Sequence, residues 1–195
     1  MDQRAGRKRG RPTSEERERR QEEILDAAVG LFVSRGFRAV ALDDIAAAAH
    51  VTKRTLYTYF GDKTEIFVAA VARLRRRALE LTGRRCDTLA RLSTEIVAAL
   101  HSDEAIGLHR LMITEAASFP DLADRFYAEG PRAYITALGR LLPAPEHARA
   151  TQLFSLLLGE PHRRRLLGLD TAPTRAQARA HAAGALSALG LAEPG

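Results

Sequence analysis

The amino-acid sequence predicts an all-α protein of about nine helices, and three observations support this fold class. Apolar residues recur three and four positions apart in one segment after another, which is the spacing of one helix face. No stretch of useful length alternates apolar with polar residues, as a half-buried strand would. Trp is absent, and Ala, Leu and Arg dominate the 195 residues, a composition that favours helices over sheets.

The first predicted helix follows a basic N-terminal stretch. Thr13 and Glu16 fit a capping box, in which the hydroxyl and the acid each bond to a free backbone N–H group. Gly36 is suited to the C-terminal end of this helix. The apolar face between them consists of Ile24, Leu25, Ala28, Leu31 and Phe32.

Three helices are predicted next, in DDIAAAAHV, TKRTLYTYF and GDKTEIFVAAVARLRRRALEL. Thr52 can cap the second of them, and Asp62 with Glu65 repeats the capping-box pattern before the third. The first two are too short to be stable alone, so we expect them to share a core with the first helix.

Longer helices are predicted from Cys86 onward. Ser102 can cap one of them, and Pro120 stands where a first-turn proline is tolerated. Gly130-Pro131 must break or kink a helix, and Gly159 with Pro161 interrupts a later one. The basic string HRRRL at 162–166 is interpreted as a solvated turn.

Composition and charge limit the class of protein. The net charge of +6 and the pI near 10.1 are compatible with a polyanionic partner. Cys86 is the only cysteine, so the chain can form no intrachain disulfide and no cysteine-based zinc site. The basic start leads into an acidic stretch, unlike an export signal, and no window approaches the ~20 apolar residues of a membrane span. We therefore expect a cytoplasmic protein without a membrane partner.

The segment DDIAAAAHVTKRTLYTYF matches a helix-turn-helix, in which a small apolar wedge of Ile45, Ala46, Val51 and Leu56 fixes the angle between two helices. The second helix must then present polar side chains to a major groove. A solvated amphipathic helix is the alternative interpretation of the same residues. The side chains predicted to contact DNA are Thr52, Lys53, Arg54, Thr55, Tyr57 and Tyr59, with Lys63 adding a charge at the next helix.

The run from 36 to 67, GFRAVALDDIAAAAHVTKRTLYTYFGDKTEIF, resembles the DNA-binding signature of tetracycline-repressor (TetR) family regulators. This resemblance implies a homodimeric, all-helical transcription regulator that binds a palindromic operator in double-stranded DNA. The sequence departs from the family pattern in two places: Val40 and Ala41 stand where Thr or Ser is common, and His50 stands where Gly is usual. A looser resemblance, to one subgroup of TetR-type ligand domains, covers LHRLMITEAASFPDLADRFYAEGPRAYITAL.

Three regions follow from the resemblance and the helix pattern: a flexible basic arm over 1–12, a helix-turn-helix domain over 13–62, and a ligand-binding and dimerisation domain over 63–195. We expect an apolar or aromatic effector. The candidate residues either line a cavity for this effector or belong to the ordinary hydrophobic core. These residues are His109, Met112, Glu115, Phe119, Phe126, Tyr127 and Tyr134. The last two helices are apolar enough for a four-helix dimer interface, or for packing within one chain. Their candidate interface residues are Leu153, Phe154, Leu157, Leu158, Leu186 and Leu189.

No constellation of catalytic residues is recognisable, and we predict that the protein is not an enzyme and needs no cofactor. The histidines lack the spacing of a strong metal chelate, so no metal site is predicted. The prediction is a ligand-responsive repressor; a helical ligand-binding or scaffold protein that no longer reads DNA is the alternative.

The N-terminal arm contains Arg9-Gly10-Arg11-Pro12, which resembles an AT-hook. Arg9 and Arg11 are therefore candidates for insertion into an A·T-rich minor groove or for attraction to phosphate.

Overall fold

The structure, a computed structural model, describes residues 13–80, 88–143, 146 and 148–192. The arm with Arg9 and Arg11, and Cys86, lie outside the described residues. Within them the chain forms α-helices and no strand, which confirms the all-α prediction. The helices are α1 (Ser14–Arg35), α2 (Leu42–Ala48), α3 (Lys53–Tyr59), α4 (Lys63–Glu80), α5 (Leu89–Leu100), α6 (Asp103–Glu115), α7 (Pro120–Tyr127), α8 (Ala133–Leu141), α9 (Arg149–Leu166) and α10 (Arg175–Ala188).

Helix α1 begins and ends where the sequence predicts. The Thr13 hydroxyl accepts a hydrogen bond from the Glu16 N–H at 3.2 Å, and the Glu16 carboxylate accepts one from the Thr13 N–H at 3.0 Å. Gly36 ends the helix with a φ of 83°, a conformation that favours glycine. Thr52 and Ser102 cap α3 and α6 in the same way, through their side-chain oxygens.

The first hydrophobic core is built by α1 to α4 together with α6 and α7. Its centre is a set of aromatic rings in edge-on or tilted contact, in which Phe37 lies 5.4 Å from Phe32, 5.8 Å from Phe67 and 5.1 Å from Phe119 between ring centroids. Such pairs add stability beyond their buried area. The short helices α2 and α3 are therefore held by a core that also includes α6 and α7.

The second core joins the C-terminal end of α4 to α5, α8, α9 and α10. Helix α4 thus contributes to both cores. A salt bridge joins α5 to α10: Glu95 is 1% exposed and pairs with Arg175, whose side chain is largely exposed. The two cores meet along α4.

An arginine inside the structure joins three helices. Arg73 of α4 is 1% exposed, and its guanidinium group donates to the Asp26 carboxylate of α1 at 2.7 Å and to the Glu104 carboxylate of α6. The main-chain carbonyl oxygen of Glu22 accepts a further bond at 3.3 Å. A buried guanidinium needs such partners because a lone charge is costly in an apolar interior.

Two helices are deformed where the sequence predicts interruption. The chain runs from α7 to α8 through a single π turn, Ala128–Arg132, which contains Pro131, so the helix bends there without ending. Inside α9, Gly159 has a φ of 55° and a ψ of −158°, which breaks the regular turn. The string 162–166 is helical and contains the buried His162 and Arg165, so its interpretation as a solvated turn is wrong. Across the described ranges no helix combines the length and the apolar character that crossing a bilayer requires.

Candidate DNA-recognition helix and central cavity

The turn between α2 and α3 has the geometry of a helix-turn-helix. Ile45, Ala46 and Leu56 are buried between the helices, and Val51 is half-buried against them, as predicted. The Val51 N–H donates to the Ala46 carbonyl oxygen at 2.9 Å, which closes the turn. His50 adopts a φ of 53°, so an imidazole side chain occupies a left-handed position that glycine tolerates better.

The N-terminus of α2 lacks a hydroxyl cap. Ala41 is the N-cap residue, and its N–H donates to the Asp44 carboxylate at 2.8 Å, which leaves no side-chain oxygen to accept from the first turn. Val40 is buried in the first core. Val40 and Ala41 therefore have different consequences: Val40 adds core packing, and Ala41 removes a cap.

Helix α3 presents its polar side chains outward from the wedge. Thr52 accepts from the Thr55 N–H at 3.2 Å, and the two hydroxyl oxygens lie 2.8 Å apart. The Lys53 ammonium donates to the exposed Asp43 carboxylate at 3.1 Å. Arg54 is exposed and forms no ion pair with the residues that the structure describes, and Tyr57 is 55% exposed. This surface can offer a guanidinium, an ammonium, hydroxyl groups and a phenol ring to a ligand.

Helix α1 extends this surface, which the sequence analysis did not predict. Arg17 lies 5.4 Å above the ring of Tyr59, so the half-buried tyrosine holds a cation beside α3. An open cleft of about 880 Å³ lies along this side of the molecule. The sequence feature that indicates this surface is the pair Arg17 and Arg20, which are three positions apart and therefore lie on one face of α1. The cleft is lined by Arg17, Arg20, His50, Val51, Thr52, Arg54, Thr55, Thr58 and Tyr59.

Lys63 lies differently from the prediction. Its ammonium group donates to the carbonyl oxygens of Phe37 and Val40, at 2.8 and 2.7 Å, and is 4.5 Å from the centroid of the Phe37 ring. Burial lowers the pKa of Lys63, and the Glu115 carboxylate opposes part of that shift. The assignment of this lysine as a free charge beside DNA needs correction, because its ammonium holds the α1–α2 connection against α4.

A central cavity of about 50 Å³ lies between the two cores. It is bounded by α4, α5, α6, α7, the π turn, α8 and α9, and its surface is predominantly apolar. Among the predicted effector residues, His109, Phe126 and Tyr134 line it. The full lining is Val71, Leu74, Leu100, Ala105, Leu108, His109, Phe126, Gly130, Pro131, Tyr134, Phe154, Leu158 and His162.

The other predicted effector residues lie elsewhere. Met112 is buried in the first core, and Phe119 packs there against the Phe37 ring. Tyr127 is exposed, with Arg132 stacked on its ring. Glu115, at the end of α6, accepts a hydrogen bond from the Arg38 N–H at 3.2 Å. These four assignments need correction, because core packing, exposure or a contact with the α1–α2 connection accounts for each of the side chains.

Four histidines form a row from the cavity to the opposite surface of α9. Between ring centroids His109 is 5.1 Å from His162, His162 is 5.2 Å from His101, and His101 is 5.9 Å from His181. His101 and His181 each bond through Nε2 to the carbonyl oxygen of Leu157, two residues before the Gly159 break. Burial lowers the pKa of His101 and of His162 to about 4, and it also lowers the pKa of His109.

Most of the predicted interface leucines lie inside their own chain. Leu153, Leu157 and Leu186 are buried in the second core, and so is Phe154, whose ring stacks on Tyr134. Leu158 lines the central cavity, and Leu189 is half-buried against the second core. The assignment of Leu153, Phe154, Leu157 and Leu186 to a dimer interface needs correction, because packing within the chain already buries them. An interface on these helices would have to use their outward residues.

Two protein-family models match the chain. Residues 24–70 match the bacterial regulatory proteins of the tetR family. Residues 87–189, more than half of the chain, match the C-terminal domain of AefR-like transcriptional repressors. The helix-turn-helix head joined to a helical body defines a transcription regulator, and the chain belongs to the tetR family of bacterial regulatory proteins. The resemblance found in the run 36–67 is confirmed.

Similarity to curated proteins covers only part of the chain. The transcriptional activator FasR of Mycolicibacterium smegmatis is 40% identical over 57 residues, which are 29% of this chain and 26% of FasR. The transcriptional regulator SrpR of Pseudomonas putida is 39% identical over 71 residues, 36% of this chain and 33% of SrpR. The matched part thus spans about a quarter to a third of the length of these relatives.

Solved structures extend the similarity of fold to most of the chain. A TetR-family transcriptional regulator from Mesorhizobium loti MAFF303099 superimposes with a TM-score of 0.66 over 91% of this chain and 96% of that one, at 23% identity. The flavonoid-responsive regulator FrrA gives a TM-score of 0.61 at 28% identity, over 87% of this chain and 94% of that one. The body of the molecule therefore shares the fold of these regulators.

Proposed function

We propose that the protein is a ligand-responsive repressor that binds a palindromic operator as a homodimer in the cytoplasm. The observation that carries this proposal is the polar face of α3, which is capped at Thr52, anchored by the buried Leu56, and open to solvent at Arg54 and Tyr57. A recognition helix needs this combination of a fixed frame and reachable side chains.

Each outward group of α3 has a place in DNA recognition. Arg54 and Lys53 have the donors that guanine O6 and N7 accept in the major groove. Lys53 must exchange its bond to Asp43 for one to DNA, which is inexpensive because both side chains are exposed. Thr52 and Tyr57 are suited to phosphate contacts, and Arg17 with Arg20 of α1 would extend these contacts along the backbone. Arg9 and Arg11 of the arm would enter the neighbouring minor groove or bind its phosphates.

The homodimer would form through the outward faces of α9 and α10. On α9 this face includes Gln152, Ser155 and Leu156, whose side chain is 38% exposed although it is apolar. On the C-terminal part of α10, beyond Arg179, the outward residues are small, which would let helices of two subunits approach closely. They are Ala180, Ala183, Gly184, Ser187 and Ala188. Two-fold symmetry would then present one head to each half of the operator.

An apolar or aromatic effector would bind in the central cavity. The volume of about 50 Å³ exceeds that of a single water site but is far below the ~300 Å³ at which ligand pockets for drug-sized molecules begin. Effector binding must therefore move the surrounding helices, and the kinked α7–α8 segment offers a place for that movement. The 28% identical relative FrrA is described as flavonoid-responsive, which supports an aromatic effector.

Two helices would transmit this movement to the head. Helix α4 contributes Val71 and Leu74 to the cavity and Lys63 to the α1–α2 connection. Helix α6 contributes Leu108 and His109 to the cavity, and Glu115 at its end bonds to the same connection. An effector that favours a different position of these helices would shift the population toward heads that no longer fit successive grooves.

A gel-shift titration with the promoter DNA that flanks the protein's own gene tests the proposal. We expect a discrete, saturable complex that survives an excess of unrelated duplex and weakens steeply with salt. Equal affinity for promoter and unrelated DNA would contradict it and would favour a helical ligand-binding protein that no longer reads sequence.

A further inference from the structure

The central cavity contains a polar group that the protein leaves unsatisfied. Tyr134 is 1% exposed, lines the cavity and stacks on Phe154, with 6.2 Å between ring centroids. Its hydroxyl group is buried and has no hydrogen-bond partner among the described residues. Burying a hydroxyl without a partner is unfavourable, so a group that enters the cavity and bonds to it gains affinity.

Two imidazoles also border the cavity. His109 and His162 both line the cavity, and within the described part of the chain their ring nitrogens make no hydrogen bond. Burial favours the uncharged ring in both, and Arg165 and His101 beside His162 oppose a further positive charge there. A neutral imidazole carries one donor and one acceptor. Together with Tyr134 the cavity thus offers groups that can each donate and accept.

Among the residues that the structure describes, no carboxylate, ammonium or guanidinium group contributes to the lining; its other side chains are aliphatic or aromatic, apart from the glycine and proline of the π turn. An anion in this cavity would lose its hydration without meeting a cation in the wall, which is costly unless a histidine takes up a proton. A fully apolar molecule would leave the Tyr134 hydroxyl without a partner. A hydroxyl group on an apolar body avoids both costs, because it donates and accepts one bond without charge.

We propose that the effector is a small, neutral molecule with an aromatic or apolar body that carries a hydroxyl group, bound by Tyr134, His109 and His162. This inference rests on the proposed effector role of the cavity and specifies its ligand chemistry. The volume of about 50 Å³ is below the ~150 Å³ of a cavity that holds benzene, so even a single-ring ligand requires the π turn at Gly130-Pro131 to move away from Val71.

Three single-ring probes of matched shape test the proposal on the full-length protein: 4-ethylphenol, ethylbenzene and 4-ethylbenzoate. Titration calorimetry in two buffers of different ionisation enthalpy reports affinity and proton uptake. We expect 4-ethylphenol to bind roughly three- to tenfold more tightly than ethylbenzene, which is the effect of one or two neutral hydrogen bonds, with no proton uptake. Three results would overturn the proposed ligand class. They are tightest binding of 4-ethylbenzoate with uptake of a proton, equal binding of 4-ethylphenol and ethylbenzene, and no binding of any probe.

Tyr134→Phe is the matched variant, since it removes only the hydroxyl group and keeps the ring on Phe154. Because that hydroxyl has no partner, we expect the variant to unfold at an unchanged or higher urea concentration. It should lose most of the preference for 4-ethylphenol and keep its affinity for ethylbenzene; a full preference in the variant would overturn the role of Tyr134. His109→Phe reports on the imidazole in the same way.

A gel shift on the same preparation separates this inference from the proposed function. Protein that binds its promoter but none of the probes overturns the ligand class and leaves the proposed DNA binding intact. Protein that binds 4-ethylphenol with the expected preference but shows no promoter complex supports the ligand class and overturns the regulator.

Discussion

Gly107 of α6 lies directly against Val33 of α1: a β-carbon added to the glycine would be 2.7 Å from Val33 Cγ2, closer than real side chains approach. The branched valine is stiff in a helix and cannot turn away freely. The spacing between these two helices is therefore fixed by the missing side chain. Because α6 also lines the central cavity, this contact links the body of the protein to the first helix of the head.

The Gly107 contact predicts that Gly107→Ala changes the free energy of unfolding in opposite directions, depending on the residue at position 33. Gly107→Ala alone should lower the free energy of unfolding by about 1–2 kcal/mol, because the new methyl group overpacks the contact. In a Val33→Ala background the same change should raise it by up to about 1 kcal/mol, since alanine is the better helix former. Urea unfolding of the four proteins measures both effects. The same sign in both backgrounds would mean that Val33 does not set the helix spacing.

Variants of Lys63 and Lys53 should affect different properties: the first should lower stability, and the second should lower DNA affinity. Lys63→Met removes both bonds to the Phe37 and Val40 carbonyl oxygens, so we expect a loss of about 1–3 kcal/mol in the free energy of unfolding. Lys53→Met breaks only an exposed pair with Asp43, and its cost should stay within about 0.5 kcal/mol while DNA affinity falls. Thermal unfolding and DNA titration on both variants give the comparison. Unchanged stability of the Lys63 variant would restore that lysine as a surface charge.

Arg73 should be the most sensitive charged position in the junction of α1, α4 and α6. Arg73→Met removes the bonds to Asp26 and Glu104; because Asp26 is largely exposed and Glu104 keeps its pair with Arg77, we expect a loss of about 1–3 kcal/mol. Arg76→Ala is the matched control on the same helix, since its pair with Glu22 is exposed and 3.9 Å long. Its cost should stay within about 0.5 kcal/mol. Similar costs for the two variants in urea unfolding would contradict a structural role for the buried guanidinium.

The buried histidines predict that the stability of the fold begins to fall at a pH above the range in which carboxylates titrate. The pKa of His101 and of His162 is about 4 in the folded protein, against about 6.5 when exposed, so the unfolded chain binds more protons between these values. The free energy of unfolding should fall as the pH is lowered from about 6.5 to about 4, by up to about 1.4 kcal/mol per pH unit for each histidine.

Urea unfolding at a series of pH values measures this slope, and His162→Gln should reduce it. His50→Asn is the control, because His50 is exposed and asparagine tolerates the same positive φ. A slope in the His162 variant equal to that of the unchanged protein would show that this imidazole is not buried neutral.

Local signals predicted the framework of the fold. The capping residues Thr13, Thr52 and Ser102 act within their own helices, so sequence spacing alone identified them. The helix-turn-helix wedge of Ile45 and Leu56 could equally be predicted from the sequence, because the residues that pack together there lie within a dozen positions. Interactions of short sequence range can be predicted from pattern and residue type.

Contacts of long sequence range could not be predicted in this way. Lys63 was interpreted as a surface charge because its acceptors, the Phe37 and Val40 carbonyl oxygens, are backbone groups without a sequence signal. Leu153 and Leu186 were recognised as apolar, but periodicity does not tell whether the same chain or a second copy covers an apolar face. His162 was missed in the cavity because three arginines follow it, and only the Gly159 break shows how α9 directs it inward.

The central claim is that the exposed face of α3 reads DNA sequence. Fluorescence anisotropy with a labelled duplex of the promoter segment tests it most directly, comparing the unchanged protein with Lys53→Ala/Arg54→Ala and with Arg140→Ala, an exposed arginine at the end of α8. We expect the α3 variant to bind at least about tenfold more weakly and to lose its preference over unrelated duplex, while the Arg140 variant binds as the unchanged protein does. Equal affinity and equal preference in all three proteins would contradict the assignment of α3 as the recognition helix.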